Sequence, residues 1–225
     1  MPLDLDWDGC RNVRDLGGFA TPAGATAFGV FVRSDNAREL TPAGWRAASE
    51  YRIRAILDLR SESERAADPP AHPGFAHRRL SLFDHFDGDP VYRADLLTRV
   101  AGLGAAEKHR RLYREALELD AARFAEAVTF LAAAAGGVLF HCAGGKDRTG
   151  VLTALLLRLA GVPVEAIEED YVRSEARLQL AESAPRDVIN HMIAETEAQH
   201  GSVAAYLLEA GASERSLLDI RARLV

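Results

Sequence analysis

Cysteine is nearly missing from this chain, and lysine is almost as rare. Cys10 and Cys142 are the two cysteines among 225 residues. They are too few and too far apart for a disulfide framework or a thiolate zinc site, and they suit a reducing compartment. Long apolar runs are also absent. The most apolar stretch, Val151 to Ala160, is short and carries Arg158, so no membrane span is expected. The opening MPLDLDWDGC has neither the basic nor the apolar region of a signal peptide, which makes a cytoplasmic location the expectation; export by another route stays open. Lys108 and Lys146 are the only lysines, so the positive charge is almost all arginine. A net charge of -6 argues against a nucleic-acid partner. No internal repeat, low-complexity tail or linker interrupts the chain. With 48% apolar residues, its length predicts one α/β domain over residues 1–225.

What is present centres on Val138 to Gly150, VLFHCAGGKDRTG. The apolar run ending at His141 reads as a buried strand, and Val151 onward reads as a buried helix. The turn between them concentrates a cysteine, two glycines, a lysine, an aspartate, an arginine and a threonine. A plain strand-to-helix connection does not require that set. It reads as an oxyanion cradle: inward backbone N–H groups and the positive end of the following helix would hold a dianion above Cys142. The same field favours thiolate, the reactive form of cysteine. Arg148 offers a planar fork matched to phosphate oxygens, and Gly144 with Gly145 permits a close approach that a Cβ would obstruct. Thr149 is placed to donate to sulfur, and His141 to fix the loop by hydrogen bonds. A buried structural cysteine in an ordinary turn is the competing reading. A Walker loop is excluded, since Lys146 is followed by Asp147 rather than Ser or Thr.

The spacing from Cys142 across five residues to Arg148 is the signature of cysteine-dependent phosphatases, and HCAGGKDRTG resembles the bacterial tyrosine phosphatases with an HCxxGKDRTG loop. The likeness extends along the chain through NVRDLGG, Arg33-Ser34-Asp35, DLRSESE, LSLFD, a DYxxS element at Asp170, GSVAAYL and the closing LLDIRARL. It implies an α/β fold: a short, mostly parallel central sheet flanked by helices, with the catalytic loop at the carboxyl end of a central strand. It further implies Cys142 as nucleophile, Arg148 as catalytic arginine, and Ala143, Gly144, Gly145, Lys146, Asp147, Arg148 and Thr149 as the phosphate cradle. Asp58 and Arg60 would support the loop, as His141 does; an ordinary strand-end pair is the other reading of those two. The general acid would be Asp84, which closes LSLFD, with Asp147 as its rival and Asp87 behind both. No metal or organic cofactor is implied.

Outside that centre, Thr41 and Pro42 predict a capped helix to Tyr51. Strands are predicted at Phe28 to Arg33, Ile53 to Leu59 and Phe75 to Phe83, with a short helix capped by Ser61. Pro90 to Asp120 is helical in period, broken by Gly102 and Gly104; it reads as core packing or as a lid. Helices follow at Ala121 to Ala135, at Val164 to Leu180 and from Pro185, and the end splits into two, capped by Ser202 and Ser213. Arg14, Asp15 and Asp35 are expected in buried ion pairs, with substrate contact as the other reading, Asp170 and Tyr171 as anchors, and His85 on the surface. The expected substrate is a phosphotyrosine protein. Lys146 also resembles the loop lysine of inositol-lipid phosphatases, so dual or phosphoinositide activity is the alternative. An inactive phosphate-binding module is a third.

Overall fold

The computed structural model describes residues 4–68, 74–85, 89–180 and 187–225. Four strands run parallel in the main sheet: β4 (Phe31–Ser34), β5 (Ile53–Asp58), β6 (Ala76–Arg79) and β7 (Gly137–His141). β1 (Arg14–Asp15) adds antiparallel to β4, giving the order β1-β4-β7-β5-β6, while β2 (Ala20–Thr21) and β3 (Gly24–Ala25) pair separately. β7 is thus central. Every one of its residues is buried, as a strand covered on both faces requires.

Alternation along these strands divides the core in two. Phe31, Leu57 and Phe140 face the larger cluster with Phe124, Val128, Leu131, Leu152 and Leu155, while Val32, Ile56 and Leu139 face a smaller one with Trp7, Leu40 and Ala48. The helices supply both layers. α1 (Pro42–Glu50) covers the smaller cluster; α5 (Ala121–Ala133) and α6 (Asp147–Leu159) cover the larger. The other helices are α2 (Glu62–Ala67), α3 (Pro90–Arg99), α4 (Ala105–Leu119), α7 (Val164–Leu178), α8 (Val188–His200), α9 (Val203–Glu209) and α10 (Glu214–Leu224). Among the described residues, no helix is long and apolar enough to cross a membrane.

Side-chain caps mark four of the predicted helix starts. Thr41 accepts from the amides of Ala43 and Gly44, Ser202 from Ala205 and Ser213 from Ser216. Ser61 and Glu64 close a reciprocal capping box on α2. Three strands are shorter than predicted, β5 only by Leu59. Phe28 lies outside β4 with its side chain exposed, and β6 runs only from Ala76 to Arg79, although the Leu80 and Leu82 amides still donate to the carbonyls of Asp58 and Leu59. Pro185 and Asp87 lie outside the described residues.

Candidate active site

β7 delivers Cys142 at its carboxyl end, and α6 begins at Asp147, four positions earlier than the apolar run suggested. The first helical turn therefore carries Asp147, Arg148 and Thr149. Only residues 142–146 form the loop, and its scaffold holds their carbonyls. The Asn36 amide donates to Ala143 O at 2.9 Å, Asn12 Nδ2 donates to the carbonyls of Gly144 and Gly145 at 3.1 and 3.2 Å, and Arg33 Nη2 donates to Gly145 O at 2.6 Å. In a trans peptide the next N–H points opposite to the carbonyl. The amides of Gly144, Gly145 and Lys146 are thereby aimed away from the scaffold, and the Gly145 amide donates to Cys142 Sγ at 3.2 Å. Three donors turned one way, at a helix N-terminus, make an anion cradle.

Close approach is needed at only one of the two glycines. Gly145 has φ +68°, and a Cβ there would lie 2.4 Å from the Ser34 carbonyl oxygen; a Cβ on Gly144 would meet nothing closer than Leu178 at 3.8 Å. Beneath the loop sits a sealed cluster. Asp170 receives Arg14 Nε at 2.7 Å and Arg33 Nη1, and Ser174 Oγ accepts from both arginines at 3.0 and 3.2 Å. Burial alone would raise the Asp170 carboxyl, but the two guanidiniums outweigh it and hold its pKa at about 2. Arg14 is ion-paired as expected. Asp15 and Asp35 differ: the first accepts the amides of Gly17 and Gly29, the second those of Arg11 and Asn12, so both shape loops rather than neutralise a charge.

On the other side of β7, Asp58 takes Arg60 Nε and Nη2 at 3.0 and 2.9 Å, and His141 Nε2 lies 3.9 Å from Asp58 Oδ1. Burial opposes the Asp58 charge, yet Arg60 and His141 bring its pKa down to about 2. Burial takes His141 down to about 4 despite Asp58, so its ring is neutral at pH 7. Its Nδ1 lies 3.2 Å from the Cys142 carbonyl oxygen. The Thr149 hydroxyl, read as a donor to sulfur, is buried and makes no hydrogen bond among the described residues.

A cavity of about 350 Å³ opens beside the loop, lined by Glu64, Phe83, Arg93, His109, Leu112, Tyr113, Asp147 and Arg148. Arg148 is held there by Glu64, with Nη2 to Oε1 at 2.7 Å and Nη1 to Oε2. Burial would raise Glu64, but Arg148 and the Ser61 amide hold its pKa at about 2. The cavity separates the two candidate acids. Asp147 lies on its wall, accepting from Tyr113 Oη at 2.5 Å. Asp84 is not on that wall: its carboxylate is bound by Arg123 at 3.1 Å and by the Ser81 hydroxyl at 2.7 Å. Lys146 is not on it either, being buried with Nζ 3.1 Å from Glu175 Oε1 and 5.8 Å from the Tyr171 ring centre. His85, expected on the surface, is mostly buried with Nδ1 3.2 Å from Asp120 and its ring edge-on to Tyr92. Cys142 itself is buried at the foot of the loop and, like residues 143–146, is not among the residues that line this cavity.

Sequence reading missed Glu64 and Tyr113. The SxxE pattern at Ser61 signalled a helix cap but not that the same carboxylate would reach Arg148. Nothing local marked Tyr113, which meets Asp147 from another helix. The tyrosine phosphatase family matches the chain over residues 5–225. A tyrosine-protein phosphatase of Nostoc commune is 28% identical over 225 residues, covering 87% of this chain and 74% of that protein. The triple specificity protein phosphatase PtpB of Mycobacterium tuberculosis is 29% identical over 191 residues, covering 74% of this chain and 67% of its own length.

Proposed function

The chain belongs to the tyrosine phosphatase family, and on that premise we propose that it hydrolyses phosphotyrosine esters through a cysteinyl phosphate formed on Cys142. The Cys142 thiolate attacks phosphorus, the bond from phosphorus to the phenolic oxygen breaks, and a carboxylic acid gives its proton to the departing oxygen. Water then attacks the cysteinyl phosphate, the carboxylate takes its proton, and inorganic phosphate leaves with the thiolate restored. The loop amides and the Arg148 fork stabilise the charge that gathers on the phosphoryl oxygens.

One observation carries this reading: Asp147 and Arg148 share a cavity whose lining also includes Phe83 and Leu112. Apolar walls suit a phenyl ring, and the two motif residues suit its phosphate. Asp147 is the better-supported acid, because it lines the cavity beside Arg148, whereas Asp84 is not among the lining residues and is engaged by Arg123. The name of the Mycobacterium tuberculosis relative raises a broader specificity. Against a phosphoinositide preference stands Lys146, which is buried with its charge already paired with Glu175. We place the enzyme in the cytoplasm, where a reducing environment suits a thiol nucleophile and two free cysteines.

The test is steady-state hydrolysis of a phosphotyrosine peptide, a phosphoserine peptide and a phosphoinositide panel, each against Cys142→Ser. The expected outcome is preferred turnover of phosphotyrosine, abolished in Cys142→Ser. Preferred turnover of the lipids would give the cavity a different occupant, and no turnover of any substrate would leave a phosphate-binding module.

A further inference from the structure

Behind Asp147 lie two buried tyrosines from different helices. Tyr113 comes from α4 and Tyr171 from α7, and each is 1% exposed. Tyr113 Oη donates to Asp147 Oδ1 at 2.5 Å and lies 2.6 Å from Tyr171 Oη; the two rings meet edge-on at 6.3 Å. A phenol has one hydrogen. Since that of Tyr113 goes to the carboxylate, the oxygen of Tyr113 must accept from Tyr171. A directed chain results, Tyr171 to Tyr113 to Asp147, in which each bond polarises the next. Burial and the neighbouring Asp147 charge raise both phenols, so the chain keeps its hydrogens through the working pH range.

Resting on the reading of Asp147 as the general acid, we propose that Tyr113, backed by Tyr171, is a positioning residue for that acid. With Oδ1 occupied by the Tyr113 hydrogen, the transferable proton of the carboxylic acid is left to Oδ2. The same bond fixes the rotation of the carboxyl plane. It also ties the acid to α4, which forms the cavity wall through His109, Leu112 and Tyr113, so wall and acid move together. No proton leaves Tyr113 in the cycle; the hydroxyl acts by orientation alone.

Proton donation matters most for a poor leaving group and least for an activated one. The experiment compares kcat/KM for phenyl phosphate, 4-nitrophenyl phosphate and a fluorinated coumarin phosphate across wild type, Tyr113→Phe, Tyr171→Phe, Asp147→Asn, Asp84→Asn and the double variant Tyr113→Phe/Asp147→Asn. Thermal unfolding and inhibition by inorganic phosphate are followed alongside. Tyr113→Phe is expected to lose roughly ten- to hundredfold on phenyl phosphate and little on the coumarin ester, with phosphate inhibition unchanged. Tyr171→Phe should show the same pattern at smaller size and serves as the reading if Tyr113→Phe does not fold. In the Asp147→Asn background, the Tyr113 substitution should cost nothing further. An equal loss across leaving groups, or full additivity with Asp147→Asn, reduces Tyr113 to packing and overturns the proposal while leaving Asp147 in place. Leaving-group dependence in Asp84→Asn but not Asp147→Asn overturns the acid assignment, and the tyrosine proposal falls with it.

Discussion

Arg33 and Arg148 both serve the loop that begins at Cys142, one from below through β4 and one from within α6. Arg33 is sealed: its side chain and that of Asp170 are 0% and 1% exposed, and its second nitrogen holds the Gly145 carbonyl. Arg148 faces the cavity with Glu64, at 13% and 29% exposure. Each arginine is matched by a carboxylate whose pKa stands at about 2. Partner chemistry is therefore the same, and burial decides the use. In the sealed cluster nothing can replace Asp170, so the charge holds the loop in shape. At the cavity, a phosphate can share or take the fork that Glu64 keeps aligned, so the charge is available to a substrate.

Removing Asp170 should have the largest effect. Asp170→Ala leaves two guanidiniums buried without their counter-charge, a loss on the order of 3–5 kcal/mol, read as a fall in denaturant midpoint. If stability instead changes by less than about 1 kcal/mol, the cluster is not sealed from solvent. Arg148→Ala should cost clearly less stability than Asp170→Ala, through the lost pairing with half-buried Glu64, while kcat/KM drops roughly a hundredfold or more. A stability loss matching that of Asp170→Ala would erase the distinction between the two arginines. Glu64→Gln keeps the capping shape of α2 but removes the charge facing Arg148. We expect a few-fold fall in kcat/KM that shrinks further as salt rises; a deficit as deep as that of Arg148→Ala would put Glu64 in the chemistry itself.

Acid should act on both sites over one range, with a gentler loss before it. Asp170 and Glu64 have folded pKa values of about 2 against ordinary values of 3.8 and 4.5. The unfolded chain binds the extra protons between these limits, so the stability both groups contribute is present above about pH 4.5 and lost as pH falls toward 2. His141 is depressed from 6.5 to about 4 by burial, so its contribution is complete above 6.5 and declines as pH falls toward 4. Equilibrium unfolding at pH 7, 5 and 3 should show a shallow loss and then a steep one. A flat profile from 7 to 5 would mean His141 is solvated in the native state.

Local chemistry was legible in the residues, and distant partnership was not. The cap residues Thr41, Ser61, Ser202 and Ser213 act within three positions, so their roles follow from spacing. The loop was legible for the same reason, since Cys142 and Arg148 lie on one short segment. The start of α6 was set too late, because a polar first turn resembles a loop until the helix beyond it is known. Asp170 read only as an anchor, since Arg14 and Arg33 reach it across 156 and 137 positions. Asp84 and Asp147 could not be separated either. Each is an aspartate beside a predicted strand or helix end, and only packing shows that Arg123 takes one and the cavity the other. His85 met the same difficulty, with its partner Asp120 on the far side of α4.

Because α6 begins at Asp147, the interval from Cys142 to Arg148 sets a bearing as well as a reach. Each residue of an α-helix turns the next by about 100°. One residue inserted after Asp147 would swing the guanidinium a quarter-turn or more around the axis, off the cradle and away from Glu64. Substitutions at Ala143 or Gly144 change what the cradle is made of. A change in the count of residues changes where its arginine points, which makes those two positions tolerant of spelling and the segment intolerant of length.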